Sequence, residues 1–115
     1  MSVVNVKVQY LRPKYKNLKE WCEDPNNIYI GRKGVVFIDN KRYPEHDSPF
    51  FNPFKIGRDG DRNEVVNKYY QYITVKIKNN EVDLEILKNK NLGCWCAPEL
   101  CHGHVLMYLL NHNKC

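Results

Sequence analysis

The stretch Leu92-Gly93-Cys94-Trp95-Cys96-Ala97-Pro98-Glu99-Leu100-Cys101-His102-Gly103-His104 decides the fold class. Leu92 to Cys96 reads as a short strand, Ala97 to Leu100 as a loop, and Cys101 to Leu110 as a helix with apolar residues at helical spacing. A strand that feeds directly into a helix is the building step of α/β sheets, whose crossovers bring strands side by side in parallel.

The rest of the chain supplies partners for that unit. Val4, Val6, Val8 and Tyr10 alternate with polar residues, which predicts a first strand ended by Pro13. Asn17 can cap a short helix from Leu18 to Glu23, and Asp24-Pro25-Asn26-Asn27 turns the chain into a second strand, Ile28 to Ile30. Val35–Ile38 and Lys41–Tyr43 flank Asp39-Asn40, the signature of a small hairpin. Pro44 to Gly60 reads as a long loop. Asp61 and Glu64 form a capping box ahead of Val65, Val66, Tyr69, Tyr70, Ile73 and Ile77, predicting a helix from Arg62 to about Lys76. A weaker helix is expected from Glu81 to Leu87. The sum is one α/β domain over residues 1–115, with a short, largely parallel sheet, flanking helices and an inserted hairpin.

Composition narrows the class further. The 115 residues are 43% hydrophobic and 27% charged, the ordinary range for a soluble globular chain. The longest apolar runs, Val35–Ile38 and Val105–Leu110, are too short to cross a bilayer, so no membrane partner is expected. The N-terminus MSVVNVKVQYLRPK lacks a charged-then-apolar signal pattern. Three of the five cysteines (Cys22, Cys94, Cys96, Cys101 and Cys115) crowd into one short segment, unlike a dispersed disulfide framework. Reduced thiols in a cytoplasmic setting are the expectation. The net charge of +5 is spread thinly rather than clustered.

Candidate chemistry concentrates at the end of the Leu92 strand. Ligands in open α/β sheets bind beyond the carboxyl ends of strands. Cys101 is expected at the first helical turn, where N–H groups and the helix dipole favour a thiolate and a nearby anion, with His102 or His104 as base. Cys94 and Cys96, two apart on a strand, share one face while Trp95 takes the other, so a buried core role stands beside the catalytic one. A metal such as zinc is a third reading, with Cys94, Cys96, Cys101 and His102 as ligands. Side chains at i and i+2 of a strand start about 6.7 Å apart. Sulfurs sharing one zinc lie only about 3.8 Å from each other, so the strand would have to bend. Asn52, Arg58 and Arg62 from the long loop, with Arg32 after the second strand, offer amide and guanidinium donors suited to phosphate or carboxylate. The plain alternative has Gly57 and Gly60 as turns and the arginines solvated. Cys115 is expected to fray, and His112 to sit at the surface near a helix end.

These elements together resemble a known family. Tyr29-Ile30-Gly31-Arg32, then Asn52-Pro53-Phe54-Lys55-Ile56-Gly57-Arg58-Asp59-Gly60, then Arg62 and the Tyr69 helix, then Gly93-Cys94-Trp95-Cys96-x-Pro98-x-x-Cys101-His102-Gly103, look like the family catalogued as domain of unknown function 4326. The likeness runs from Val3 to Leu110. That family is met in bacteria, phages and large DNA viruses, so a viral source would put the protein in the host cytoplasm. Two departures stand out: Gly34 to Phe51 intervene between the first two elements, and His104 stands where the pattern commonly has an acidic residue. The resemblance implies a fold and a site location but no reaction. Three functions follow as expectations: binding, and processing through Cys101, of a small anionic ligand of the nucleotide class; a metal-stabilised interaction module; or single-stranded nucleic-acid binding through interleaved basic and aromatic side chains. Oligomeric state is not legible.

Overall fold

A computed structural model describes residues 2–96 and 99–112. Ala97-Pro98, the His112 side chain and Cys115, for which the sequence gives a loop, a surface position and a frayed end, lie outside the described residues. Along the chain come β1 (Ser2–Asn5), α1 (Val8–Leu11), α2 (Leu18–Glu23), β2 (Asn27–Tyr29), β3 (Val36–Ile38), β4 (Lys41–Tyr43) and α3 (Arg62–Lys78). A 3-10 turn at Leu84–Leu87, β5 (Asn91–Cys94) and α4 (His102–His112) complete it. β5 lies between β1 and β2 and runs parallel to both, and β3 and β4 form a separate antiparallel hairpin. This is an α/β fold.

Register divides the sheet into two faces. Val3, Leu92 and Ile28 occupy one rung and pack with Tyr69 and Ile73 of α3 and Leu106 of α4. Val4, Gly93 and Tyr29 occupy the next rung and face Val6, Leu11, Leu18 and Trp21. Gly93 makes that second face possible, because a Cβ there would lie 2.5 Å from the Trp21 ring and 2.8 Å from Val6. The absent side chain lets α2 lie directly on the central strand.

Several boundaries differ from the sequence expectation, each for a local reason. The first strand ends at Asn5, not Tyr10. Its partner β5 has four residues, so the ladder runs out once the Val6 N–H reaches the Cys94 carbonyl at 2.9 Å. The Asn5 side chain then accepts from the Lys7 N–H and turns the chain into α1, leaving Val8 and Tyr10 exposed. The expected Glu81–Leu87 helix is only the 3-10 turn, with Asp83 accepting from Glu85 N–H. The hairpin forms as expected, Asp39 and Asn40 both adopting positive φ (54° and 66°), which matches strand twist.

α3 starts as the capping box predicts: Asp61 accepts from Glu64 N–H at 2.9 Å and Glu64 accepts from Asp61 N–H at 3.0 Å. Gly60, at φ 131°, supplies a backbone conformation open mainly to glycine. Between β4 and α3 the chain is irregular but anchored. Ser48 N–H bonds the Gly31 carbonyl, Phe50 is buried, and the Tyr69 hydroxyl donates to the Phe50 carbonyl at 2.6 Å. The long loop is thereby fixed against the ends of β2 and β5.

Candidate functional site

β2 and β5 end side by side, and both chains continue into the same region. From β2 come Ile30, Gly31 and Arg32; from β5 come Trp95 and Cys96. The Trp95 indole donates to the Tyr29 hydroxyl at 2.8 Å, and that hydroxyl donates to the Arg32 carbonyl at 2.8 Å. Burial pushes the Tyr29 phenol up to about 12, so it remains a donor at every physiological pH. A cleft of about 330 Å³ opens here, walled by the long loop, the first turns of α3 and the start of α4. Its size is at the lower end of the range for small-ligand sites.

The cleft is mostly apolar, with Phe54, Ile56, Val65, Trp95 and Leu100 among its walls. Its charged lining consists, among the described residues, of Arg32, Lys55 and Arg62, and includes no carboxylate. Arg32 is held by the Asn52 carbonyl at 2.6 Å and the Phe54 carbonyl at 3.4 Å, and lies 5.8 Å from the Phe51 ring centre. None of these contacts neutralises its charge. Asn52 uses its side-chain oxygen to accept from Phe54 N–H at 2.9 Å, which directs its amide nitrogen away from that turn. Arg62 donates to the Leu100 carbonyl at 3.0 Å and pairs with Glu99, also at 3.0 Å. Its guanidinium is shifted upward, first by a hydrogen bond with the Cys96 sulfur.

Arg58 does not join them. It is exposed, donates to Asp59 at 2.9 Å and to the Pro53 carbonyl at 2.9 Å, and does not line the cleft. Asp59 is held below its ordinary carboxyl range by that contact first, and by the Lys55 N–H next. The pair shapes the loop.

The helix-start chemistry also differs from expectation. Cys101 is buried at 3% exposure, with its sulfur 3.1 Å from that of Cys94. The hydrogen bond with Cys94, and then burial, push the Cys101 thiol well up rather than down. The helix-start amides are already used: Gly103 N–H points to the Cys101 sulfur at 3.3 Å, and Cys101 N–H donates to His104 Nδ1 at 3.0 Å. Cys101 and His104 thus cap the start of α4 between them, the sulfur accepting from the second helical N–H and the imidazole from the N-cap N–H. His104 fills the role an acidic side chain commonly takes at that helical position.

His102 is directed to the Ile30 carbonyl rather than to Cys101. Its Nε2 lies 2.6 Å from the Ile30 carbonyl, and its ring packs edge-on against Tyr69 at 5.1 Å. Burial pulls its pKa down to about 4, with the Arg32 charge a smaller contributor. The neutral ring therefore carries its proton on Nε2, which leaves Nδ1 as an acceptor. The expected ligand set of Cys94, Cys96, Cys101 and His102 is not assembled either: no group of three or more His, Cys, Asp or Glu suited to an ion occurs among the described residues. His102 is turned to Ile30 and the two buried sulfurs to each other.

The expected residues Arg32, Asn52, Arg62, Cys96, Cys101 and His102 all line the cleft, Cys101 at its floor. The aromatic walls were missed. β5 ends at Cys94, so Trp95 and Cys96 lie beyond the strand and both reach the cleft, which strand alternation does not foretell. No helix of the described residues is long and apolar enough to cross a membrane.

Fold and cleft define a small parallel-sheet α/β protein with a cation-lined cleft at its strand ends. The chain belongs to the family described as Domain of unknown function (DUF4326), which matches residues 13–112 and so leaves out β1. It is 34% identical over 91 residues to the uncharacterised protein R718 of Acanthamoeba polyphaga mimivirus, covering 72% of this chain and 65% of that one. It is 30% identical over 70 residues to an uncharacterised 12.4 kDa protein in the nrdA-td intergenic region of Enterobacteria phage T4, covering 57% and 64%. The chain thus spans just under two thirds of the length of each of these curated relatives. No solved structure matches it.

Proposed function

We propose that the cleft binds a small anionic ligand with a flat apolar body, of the nucleotide or nucleotide-derived class. The observation that carries this reading is the lining itself: apolar and aromatic walls enclosing Arg32, Lys55 and Arg62 with no lining carboxylate among the described residues. A guanidinium held on backbone carbonyls keeps its charge and is pre-positioned for phosphate or carboxylate. Trp95 and Phe54 offer faces to a ring, and the Asn52 amide and the His102 imidazole offer polar contacts for its edge. Processing through a Cys101 thiolate is not part of the reading, because that thiol is buried and its sulfur is committed to Cys94 and Gly103. Extended single-stranded nucleic acid is less well supported. The exposed aromatics Tyr10, Phe37, Tyr70 and Tyr108 lie on four elements, and among them the close ring pair is Tyr70 with Tyr108 at 6.2 Å.

The test is calorimetric titration of the reduced protein with nucleoside monophosphates, with nucleosides and inorganic phosphate as separate arms. At least one monophosphate should bind more tightly than phosphate alone, Arg32→Leu should abolish that binding, and Arg58→Ala should leave it within about twofold, as for an exposed side chain outside the cleft. Absence of heat from every monophosphate at millimolar concentration refutes the reading.

A further inference from the structure

Three cysteines meet behind this cleft, and they are not equivalent. Cys94 and Cys101 are 1% and 3% exposed, so neither can meet a substrate first. Cys96 is half-buried, lines the cleft, and packs against the cluster that contains the other two. The Arg62 side chain lines the same cleft, and the pKa of its guanidinium is raised by its interaction with Cys96. A guanidinium beside sulfur stabilises the negative charge that a thiol develops as it attacks. Behind it, the Cys94 and Cys101 sulfurs are 3.1 Å apart, about an ångström from disulfide bonding distance. An accessible thiol with a cationic partner, backed by two abutting buried thiols, is the layout of a dithiol exchange centre.

We propose that Cys96 is the leading thiol of a thiol–disulfide exchange site that reduces a small carboxylate-bearing disulfide, with the Cys94–Cys101 pair as its electron source. This rests on the anion-binding reading of the cleft, since Arg32 and Arg62 would hold the substrate carboxylates. In the first step Cys96 sulfur bonds one substrate sulfur, the substrate S–S bond breaks, and the Cys96 proton leaves with the departing thiol. A thiol of the buried pair then attacks Cys96 sulfur, releasing the second substrate thiol with the attacker's proton. Its partner completes the transfer, forming the Cys94–Cys101 disulfide and returning a hydrogen to Cys96. The net change is one substrate disulfide reduced to two thiols and one protein dithiol oxidised.

The test uses the full chain carrying Cys22→Ser and Cys115→Ser, fully reduced, with dithiobis-nitrobenzoate, an aromatic disulfide bearing two carboxylates. The expected result is rapid release of two nitrothiobenzoates per chain, no retained adduct, a mass lower by two hydrogens, and a Cys94–Cys101 link by peptide mapping. Adding Cys96→Ser should remove the fast phase, and Arg62→Gln should slow it roughly three- to tenfold. Replacing both buried thiols, Cys94→Ser together with Cys101→Ser, whose hydroxyl can still cap α4, should stop the reaction after one release with the label on Cys96. Unchanged circular dichroism confirms that each variant is folded. A stable adduct on the parent protein, or equally fast release from the folded Cys96→Ser variant, overturns the relay. Monophosphate titration of the same parent protein separates the two readings: binding without exchange removes the relay alone, and loss of both removes the anion cleft as well.

Discussion

Lowering the pH from 7 to 5 should cost this protein stability through His102, in an amount set by where its ring sits. The folded ring is neutral, with its pKa pulled down to about 4 by burial. In the unfolded chain a histidine titrates near 6.5. The native state therefore binds fewer protons than the unfolded state between these values, so stability falls as acid is added. The contribution is complete above about pH 6.5, declines from there towards pH 4, and falls no further below it. The full span corresponds to about 3 kcal/mol, of which about 2 kcal/mol is lost by pH 5. One edge of the ring remains open to the cleft, so these are upper figures. Other groups titrate over the same interval, so the informative quantity is a difference. Urea unfolding of the reduced protein at both pH values should be compared with His102→Gln, whose amide can still donate to the Ile30 carbonyl but does not titrate. The wild type should lose about 1–2 kcal/mol more than the variant on acidification. Equal losses would show that the imidazole is not held neutral against Ile30, and the proton assignment at the cleft would fall with it.

Two further perturbations probe how the site is supported. Gly93→Ala forces a methyl to 2.5 Å from the Trp21 ring and should cost about 1–3 kcal/mol in chemical denaturation, with a change in Trp fluorescence reporting the displaced helix. His104→Ala removes the acceptor for Cys101 N–H and should cost about 1 kcal/mol, whereas His104→Glu should retain or exceed wild-type stability in the same assay.

The parts of the fold that were legible in the sequence are those governed by neighbours in the chain. Asp61 and Glu64 close a reciprocal box within one turn, and Asp39-Asn40 set a hairpin by their own backbone preference. The first strand was less legible because alternation at Val6, Val8 and Tyr10 says nothing about the length of the partner strand. β5 offers four residues, and pairing stops where it stops. The same limit explains the 3-10 turn: a periodic window around Leu84 and Leu87 reads as a helix, but two buried leucines and a local Asp83 cap need only one turn.

At the site, residue type identified the neighbourhood and burial reassigned the roles. Arg32, Asn52 and Arg62 converge because two strand ends and a capped helix bring them together, while Arg58 was lost to its own neighbour, Asp59. The reading of Cys101 depended on unused amides at the start of α4. Those amides are engaged by the chain's own Cys101 sulfur and His104 imidazole, so the helix has little left to offer an anion. In the proposed anion-binding reading, charge recognition would therefore fall to guanidinium groups held on loop carbonyls. The more accessible of the two thiols lining the cleft is Cys96, five residues before the one the helix-start argument selected.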